Sequence, residues 1–482
     1  MTTTPQAESV ARPIPPEAVT ALAAAVAGPV LRPGDFGFAT EVGLARESGS
    51  AREFGSAREF GSARESGWAG ETADAWSARR PMLAIGVTGS DDVQAAVRFA
   101  AEHGQPVAVL APGHGGGPPA DAAVLINTSR MTGLSIDEEW MTARIEAGVR
   151  WQQVIEAAAK VSLAPMAGSA PLAGAVAYHL GGGLSPVLGR PLGFAADYVR
   201  SLDVVTADGR LRQVSADQEP ELFWALRGGE GNLGVVTALE FELFPVRIVY
   251  GGELVFDGRD AAAVLDAYRS WVPQLPDQLS SSIVFWRTLD RPELPAAFRE
   301  RPMLQLRIAY LGSATYGEEL LAPMRAAAPA LIDQVGERPF SAIAALHTDP
   351  AGVGVGRERA VRLRDLTEDV VDRLIDLAVP DSTTATAVEL RHLGGALSRG
   401  PRVENAVDHR DAGFCLVATE AASITEGIRD TGAADAVAAD LAGPERVRTA
   451  YQPHTYQRLL KVKRTYDPQN RFRVERASGA KA

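Results

Sequence analysis

The chain has 482 residues, 46% of them hydrophobic, which is enough to bury a large core and to divide into two domains. Its 60 acidic residues outnumber its 48 basic ones, and the net charge of -12 argues against a nucleic-acid or anionic-membrane partner, since both need a basic face. A single cysteine, Cys415, excludes an internal disulfide and fits a reducing compartment.

The N-terminus, from Met1 to Glu8, lacks the basic and apolar regions of a secretion signal. No later run approaches the roughly 18 apolar residues that span a bilayer, so a cytoplasmic protein is expected. Within an N-terminal segment, 1–76, residues 45–67 repeat Ala-Arg-Glu-(Phe/Ser)-Gly-Ser every six residues. That period scatters Phe54 and Phe60 to opposite sides of a helix, and the glycines weaken the helix further, so a flexible surface insertion is expected.

Beyond the insertion the pattern becomes regular. Residues 83–87 read as a strand, and a helix follows, capped by Ser90, with Asp91 and Asp92 in its first turn and Gly104 past its end. Val93, Ala96, Val97 and Ala100 form its buried stripe. A strand at 106–110 completes a βαβ unit and leads into the glycine loop at 111–117, which presents His114. Strands at 124–127 and 143–147 precede a helix with Trp151, Val154, Ile155 and Ala158 on one face. Asp208-Gly209 is the turn of a hairpin between 202–206 and 211–214, and a long strand runs from 235 to 244. After Pro245, strand-like runs at 248–255, 282–286, 303–309, 386–390 and 413–418 alternate with helical stretches near 259–273, 315–328 and 366–378. This is the texture of a separate α+β unit, a sheet covered by helices. At the C-terminus a helix carrying Leu459, Leu460 and Val462 ends in a turn at 466–472.

Three glycine clusters (113–117, 181–183 and 228–234) each lie beside an apolar run, which suggests one large phosphate-bearing cofactor, because glycine lets backbone N–H groups approach an anion. No loop ends in Gly-Lys-Ser/Thr, and Pro118-Pro119 stand where a dinucleotide-binding helix would start. The histidines are dispersed without ligand spacing, so no metal is expected, and a Gly-x-Ser-x-Gly elbow is absent. The ordered series is specific. Pro-Gly-His-Gly (112–115), Gly-Ser-Ala-Pro-x-x-Gly (168–174), Tyr-His-Leu-Gly-Gly-Gly-Leu-Ser (178–185), Ala-Ala-Asp-Tyr-Val (195–199), Gly-Asn-Leu-Gly-Val-Val-Thr (231–237) and Tyr-Asp-Pro-Gln-Asn-Arg-Phe (466–472) follow one another. From about residue 30 to 475, insertion aside, the chain resembles the berberine-bridge-enzyme-like branch of the vanillyl-alcohol-oxidase or p-cresol-methylhydroxylase (PCMH) flavoproteins.

The resemblance implies an α+β, two-domain PCMH-type fold. An FAD-binding domain at 77–248 would be rejoined by the C-terminal segment 451–482, and an antiparallel-sheet substrate domain covered by helices would occupy 249–450. The backbone of Ala111, Pro112, Gly113 and Gly115 would cradle the pyrophosphate. Gly168, Ser169, Gly174 and Tyr178 would line the flavin ring and ribityl chain, and Gly182 and Val235 the remainder. His114 would bond to the flavin 8α-methyl carbon. Many relatives carry a cysteine for a second flavin bond where this chain has Ala170, so a single linkage is implied. His179 stands where relatives more often have a small polar residue, and Thr455 replaces an asparagine of the family's C-terminal motif.

The implied activity is an FAD-linked oxidase that takes hydride from a C–OH or C–N bond of a small molecule and passes electrons to oxygen. Alternatives are a dehydrogenase with another acceptor, a non-redox cyclisation, and a cofactor-free binding protein on the same scaffold. A base must take the accompanying proton. His392 is the first candidate, followed by Tyr451 and Tyr456, with Glu389, Arg391 and His409 also within the substrate unit. Strand alternation puts Glu389 and Arg391 on one face and His392 on the other.

Overall fold

The structure, a computed structural model, describes residues 14–42, 81–112, 120, 122–288, 294, 296–298, 301–342, 358–376, 385–420, 446–447 and 451–472. The repeat at 45–67 and the loop residues Gly113, His114 and Gly115 lie outside the described residues.

The described residues form three sheets. The first contains α1 (Pro16–Ala25), β1 (Val30–Leu31), α2 (Phe38–Glu41), β2 (Leu83–Gly86), α3 (Ser90–Glu102), β3 (Val107–Leu110) and β4 (Val124–Asn127), with strand order β1-β2-β4-β3. β4 pairs in parallel with both β2 and β3, as a βαβ crossover requires. The expected stripe of α3 is fully buried at Val93, Ala96, Val97 and Ala100. Its cap differs from expectation. Gly89 is the N-cap and Ser90 is already helical, without a side-chain cap bond. The entry to the helix is instead held by Asp92, whose carboxylate accepts from Ala27 N at 2.8 Å and from Thr88 N at 2.9 Å.

The second sheet is antiparallel, in the order β5-β6-β9-β7-β8, and comprises β5 (Leu134–Asp137), β6 (Thr142–Glu146), β7 (Val199–Val205), β8 (Leu211–Ser215) and β9 (Val235–Glu242). Trp151, Val154, Ile155 and Ala158 of α4 (Trp151–Lys160) share its core with Phe223 and Phe241. Gly209, at φ 72°, makes the β7–β8 turn. Between α4 and β7 run the short helices α5 (Ala175–Leu180) and α6 (Gly189–Leu192), and α7 (Pro220–Leu226) precedes β9.

The third sheet is antiparallel throughout; with β13 (Ile332–Asp333), β15 (Glu358–Leu363) and β18 (Arg446–Val447) its order is β13-β10-β12-β11-β16-β17-β15-β18, and β14 (Gly336–Pro339) also pairs with β10. The strands that position the site are β10 (Ile248–Asp257), β11 (Leu279–Trp286), β12 (Met303–Tyr310), β16 (Ala385–His392) and β17 (Phe414–Glu420). Alternation divides its faces. Leu254, Phe256, Ile283, Phe285, Leu304, Leu306, Val388, Leu390 and Leu416 pack under α8 (Ala261–Trp271), α9 (Ala314–Ala327) and α10 (Glu368–Asp376). The opposite face carries Glu253, Gln305, Arg307, Ser280, Ser282 and Glu389, polar side chains that are nevertheless buried.

The last helix, α11 (Pro453–Tyr466), returns to the first two sheets. Lys463 Nζ donates to Asn232 O at 2.6 Å and Phe472 O at 2.8 Å, and Phe472 bridges Val107 in parallel. Arg458 lies over the Trp224 ring and donates to Glu221 at 2.7 Å.

Candidate active site

The cofactor-side loops converge where the sequence brings small residues together. Ala111 and Pro112 leave the end of β3, and Gly174 N donates to Pro112 O at 2.9 Å. A Cβ at position 174 would sit 2.2 Å from that oxygen, so only glycine allows the approach. The Tyr178 ring is sandwiched between Gly168 and Gly183, where an added Cβ would meet it at 2.8 Å and 2.6 Å. Gly182 accepts from Ala196 N at 2.9 Å, and Val235 opens β9, buried. The third glycine loop is fixed from the C-terminus, by Lys463 on Asn232 O and by the Tyr451 hydroxyl on Gly228 O at 2.7 Å.

Two features of this region fit a bound flavin. The Tyr178 hydroxyl is buried with no hydrogen-bond partner among the described residues. Burial pushes that phenol well above its ordinary pKa, only partly offset by Arg391, so it stays protonated as a donor. Ser169 also faces a cavity rather than packing into the core.

That cavity lies between Ser169, Leu184, Ser185 and Pro186 on one side and the third sheet on the other. Ser282, Arg307, Glu389 and Arg391 form the sheet wall. Arg391 grips Glu389 through Nε at 2.8 Å and Nη2 at 2.7 Å, and Arg307 Nη1 lies 3.6 Å from the same carboxylate. Arg190, from α6, closes one end by donating to Leu279 O at 2.7 Å and to Leu393 O.

His392, at the end of β16, lines the cavity together with Glu389 and Arg391, but its chemistry differs from that of a base. Arg190 Nη1 lies 3.1 Å from Nε2, so a neutral ring accepts there and carries its proton on Nδ1. Burial, with Arg190 adding to it, pushes its pKa down to about 3. Such an imidazole is a poor proton acceptor, and the ring stacks on Phe414. The two tyrosine candidates are corrected by position. Tyr456 is 44% exposed on α11 and does not line the cavity. Tyr451 commits its hydroxyl to Gly228 O, and burial raises its pKa. His409 also lies off the cavity wall, in left-handed backbone at φ 55°. Sequence reasoning passed over Arg190, Ser282 and Arg307. The last two share the Glu389 face by strand register, a signal available only once the pairing is known.

His179 is a packed histidine. It is 1% exposed, bonds Ala175 O through Nδ1 at 2.8 Å, and its ring lies 4.5 Å from that of Phe241. Burial pulls its pKa down to about 4, partly opposed by the Ala175 bond. The unfolded ring titrates near 6.5, so between about pH 4 and 6.5 the unfolded chain binds the extra proton and stability falls as pH falls. Lowering pH from 7 to 5 is expected to destabilise the protein through this group by about 2 kcal/mol, at ~1.4 kcal/mol per unit below 6.5. Melting curves at the two pH values check this: His179→Phe should lose less than the parent, and equal losses would assign acid sensitivity elsewhere.

Among the described residues there is no cluster of three or more His, Cys, Asp or Glu suited to a metal, and no helix long and apolar enough to cross a membrane. Residues 81–215 match the FAD binding domain family, and residues 429–477 match the berberine and berberine-like family. The chain is 27% identical over 440 residues to (R)-6-hydroxynicotine oxidase of Paenarthrobacter nicotinovorans, covering 83% of this chain and 92% of that one. The crystal structure of 6-hydroxy-D-nicotine oxidase from Arthrobacter nicotinovorans superposes with a TM-score of 0.75 at 24% identity, covering 93% of this chain and 97% of the other. Glucooligosaccharide oxidase from Acremonium strictum, described with a 6-S-cysteinyl, 8α-N1-histidyl FAD, has a TM-score of 0.66 at 20% identity over 80% of this chain and 89% of its own.

Proposed function

We propose that this chain, which belongs among the berberine-bridge-enzyme-like FAD-linked oxidoreductases, oxidises a C–OH or C–N bond of a small organic substrate held in the cavity between Ser169 and Glu389, with molecular oxygen as the final acceptor. The observation that carries this is the cavity itself. Residues next to the glycine loops and polar residues of the third sheet meet there around one cavity. In this proposal residues 77–248 and 451–482 hold FAD, and 249–450 present the substrate.

When bound, FAD supplies the hydride acceptor. Ala111, Pro112, Gly113 and Gly115 hold its pyrophosphate, while Gly168, Ser169, Gly174, Tyr178, Gly182 and Val235 hold the rest. His114 tethers it covalently, a role supported by the histidyl FAD of the glucooligosaccharide oxidase. The Tyr178 hydroxyl, kept protonated, donates a hydrogen bond into the site. Glu389, the carboxylate on the cavity wall, takes the substrate proton, with Arg391 fixing its orientation. His392, held by Arg190, shapes the wall and carries no proton away.

Relatives named as oxidases of 6-hydroxynicotine and of glucooligosaccharides leave the substrate open at these identities. The test is an oxygen-electrode screen of the purified yellow protein against alcohols, sugars, cyclic amines and hydroxy acids, with hydrogen peroxide assayed in parallel. Oxygen uptake matched by peroxide is the expected result. Reduction of the yellow protein by a substrate without oxygen uptake would move the acceptor away from oxygen, and a colourless protein with no flavin would defeat the proposal.

A further inference from the structure

Between β16, which carries Glu389, and β17 the chain makes a detour to the glycine loops. Arg410 and Asn405 on that detour reach Asp197, in the short helical turn Ala195–Tyr198. Arg410 Nη2 donates to Asp197 Oδ1 at 2.6 Å and Asn405 Nδ2 to the same oxygen at 2.7 Å. Phe194 N donates to Oδ2 at 2.9 Å, so both carboxylate oxygens are held. The turn grips the second glycine cluster: Ala195 N donates to Gly183 O and Ala196 N to Gly182 O, each at 2.9 Å.

The third glycine cluster is held from the same detour. Arg227, buried and directly before Gly228, donates to Val403 O at 3.3 Å and to Glu404 O. Ala406 N donates back to Arg227 O at 2.8 Å. One side chain then touches both clusters. A Cβ added at Gly182 would lie 3.1 Å from Val407 Cγ2, and one added at Gly228 would lie 2.8 Å from the same methyl. Gly228 N also donates to Leu180 O at 2.9 Å, so the two clusters and the detour form one packed unit. The Asp197 and Arg410 side chains are only 8% and 13% exposed. Desolvation offsets much of the attraction in so enclosed an ion pair, so stability alone is a poor account of it.

Resting on the proposal that these glycine loops hold FAD, we infer that residues 403–410 are a strap by which the substrate unit sets the cofactor loops. Asp197, Arg410 and Val407 are its positioning residues. Glycine backbone is free to take many conformations, and each one it must abandon when the cofactor arrives costs affinity. The strap removes that cost in advance by fixing Gly182 and Gly228 from one side. Because it continues from β16, which supplies Glu389 to the cavity wall, the same segment also fixes the wall relative to the loops.

The experiment measures FAD affinity in the His114→Ala background, where FAD binds without a tether, by calorimetry and flavin absorbance. It is run at a temperature at which circular dichroism shows each apoprotein folded, so that affinity is read apart from stability. Asp197→Asn with Arg410→Met removes the ion pair without orphaning either charge, and its dissociation constant for FAD is expected to rise tenfold or more. Val407→Ala removes only two methyl groups, and a rise of threefold or more is expected. Arg325→Met with Asp333→Asn is the control. It removes an ion pair of 2.8 Å between α9 and β13 and should leave the constant within twofold of the background. An unchanged constant in the folded Asp197–Arg410 variant, or an equal rise in the control, would overturn the inference. If that variant does not fold, Val407→Ala decides alone, and an unchanged constant there overturns the inference. A background protein that binds no FAD would defeat the cofactor reading and the strap with it, whereas FAD bound equally well by background and strap variants sinks the strap alone.

Discussion

Acid-precipitated protein is expected to stay yellow, and His114→Ala is expected to release all of its flavin into the supernatant. A neutral imidazole is a competent nucleophile, and His114 lies two residues after Pro112, between Gly113 and Gly115. The structure describes the base of that loop, where Pro112 O accepts from Gly174 N at 2.9 Å, so the loop starts from a fixed point. The linkage should be single. Ala170 offers no sulfur, and the one cysteine, Cys415, lies on β17 opposite Arg391 in the third sheet. Burial pushes that thiol's pKa up, away from the reactive thiolate. A tryptic peptide containing His114 should carry the mass of one FAD, and Cys415→Ser should leave the acid-stable colour untouched. The His114→Ala protein should still fold and bind FAD reversibly, because backbone groups of the glycine loops make most of the phosphate contacts. Flavin lost from the parent on acid treatment would exclude the tether.

The glycine-loop side of the cavity was legible because its constraints are local. Gly168, Gly174 and Gly183 are glycines for steric reasons that any chain folding this way must meet, and their spacing survives in the sequence as motifs. The strands were legible as well, since strand-like runs mark 248–255 and 303–309, and β10 and β12 cover those residues. Helix caps were less so. Ser90 looks like a cap, yet Asp92 holds the entry through a bond to Ala27, 65 positions away. The substrate half depends on register. Nothing local tells that Ser282 stands between Arg307 and Arg391, or that Arg190 crosses 202 positions to reach His392. A histidine in water titrates near neutral pH, which suits a base. Burial and a neighbouring guanidinium remove that property, and neither can be read from Glu-Leu-Arg-His. Tyr456 failed for a simpler reason, as the face of α11 it occupies points to solvent.

Glu389→Gln is expected to slow anaerobic bleaching of the yellow protein by substrate by roughly 10²–10⁴-fold, the usual worth of a positioned base. The amide keeps the volume of the side chain and still accepts from Arg391, but it cannot take a proton. Flavin content should be unchanged, because Glu389 belongs to β16 and not to the glycine loops. Loss of charge beside Arg307 and Arg391 will also alter substrate binding, so the comparison is made at saturating substrate, where the rate and not the affinity is read. Glu389→Asp should recover part of the rate, since a carboxylate remains, though drawn back from the cavity. His392→Gln serves as the opposing case. With Nε2 facing Arg190 and a pKa near 3, His392 is neutral throughout the working range, and its loss should cost less than about tenfold. A collapse in His392→Gln with full rate in Glu389→Gln would return the proton to the histidine. Full rates in both would mean that the substrate loses its proton without help from the wall, as a neutral amine can.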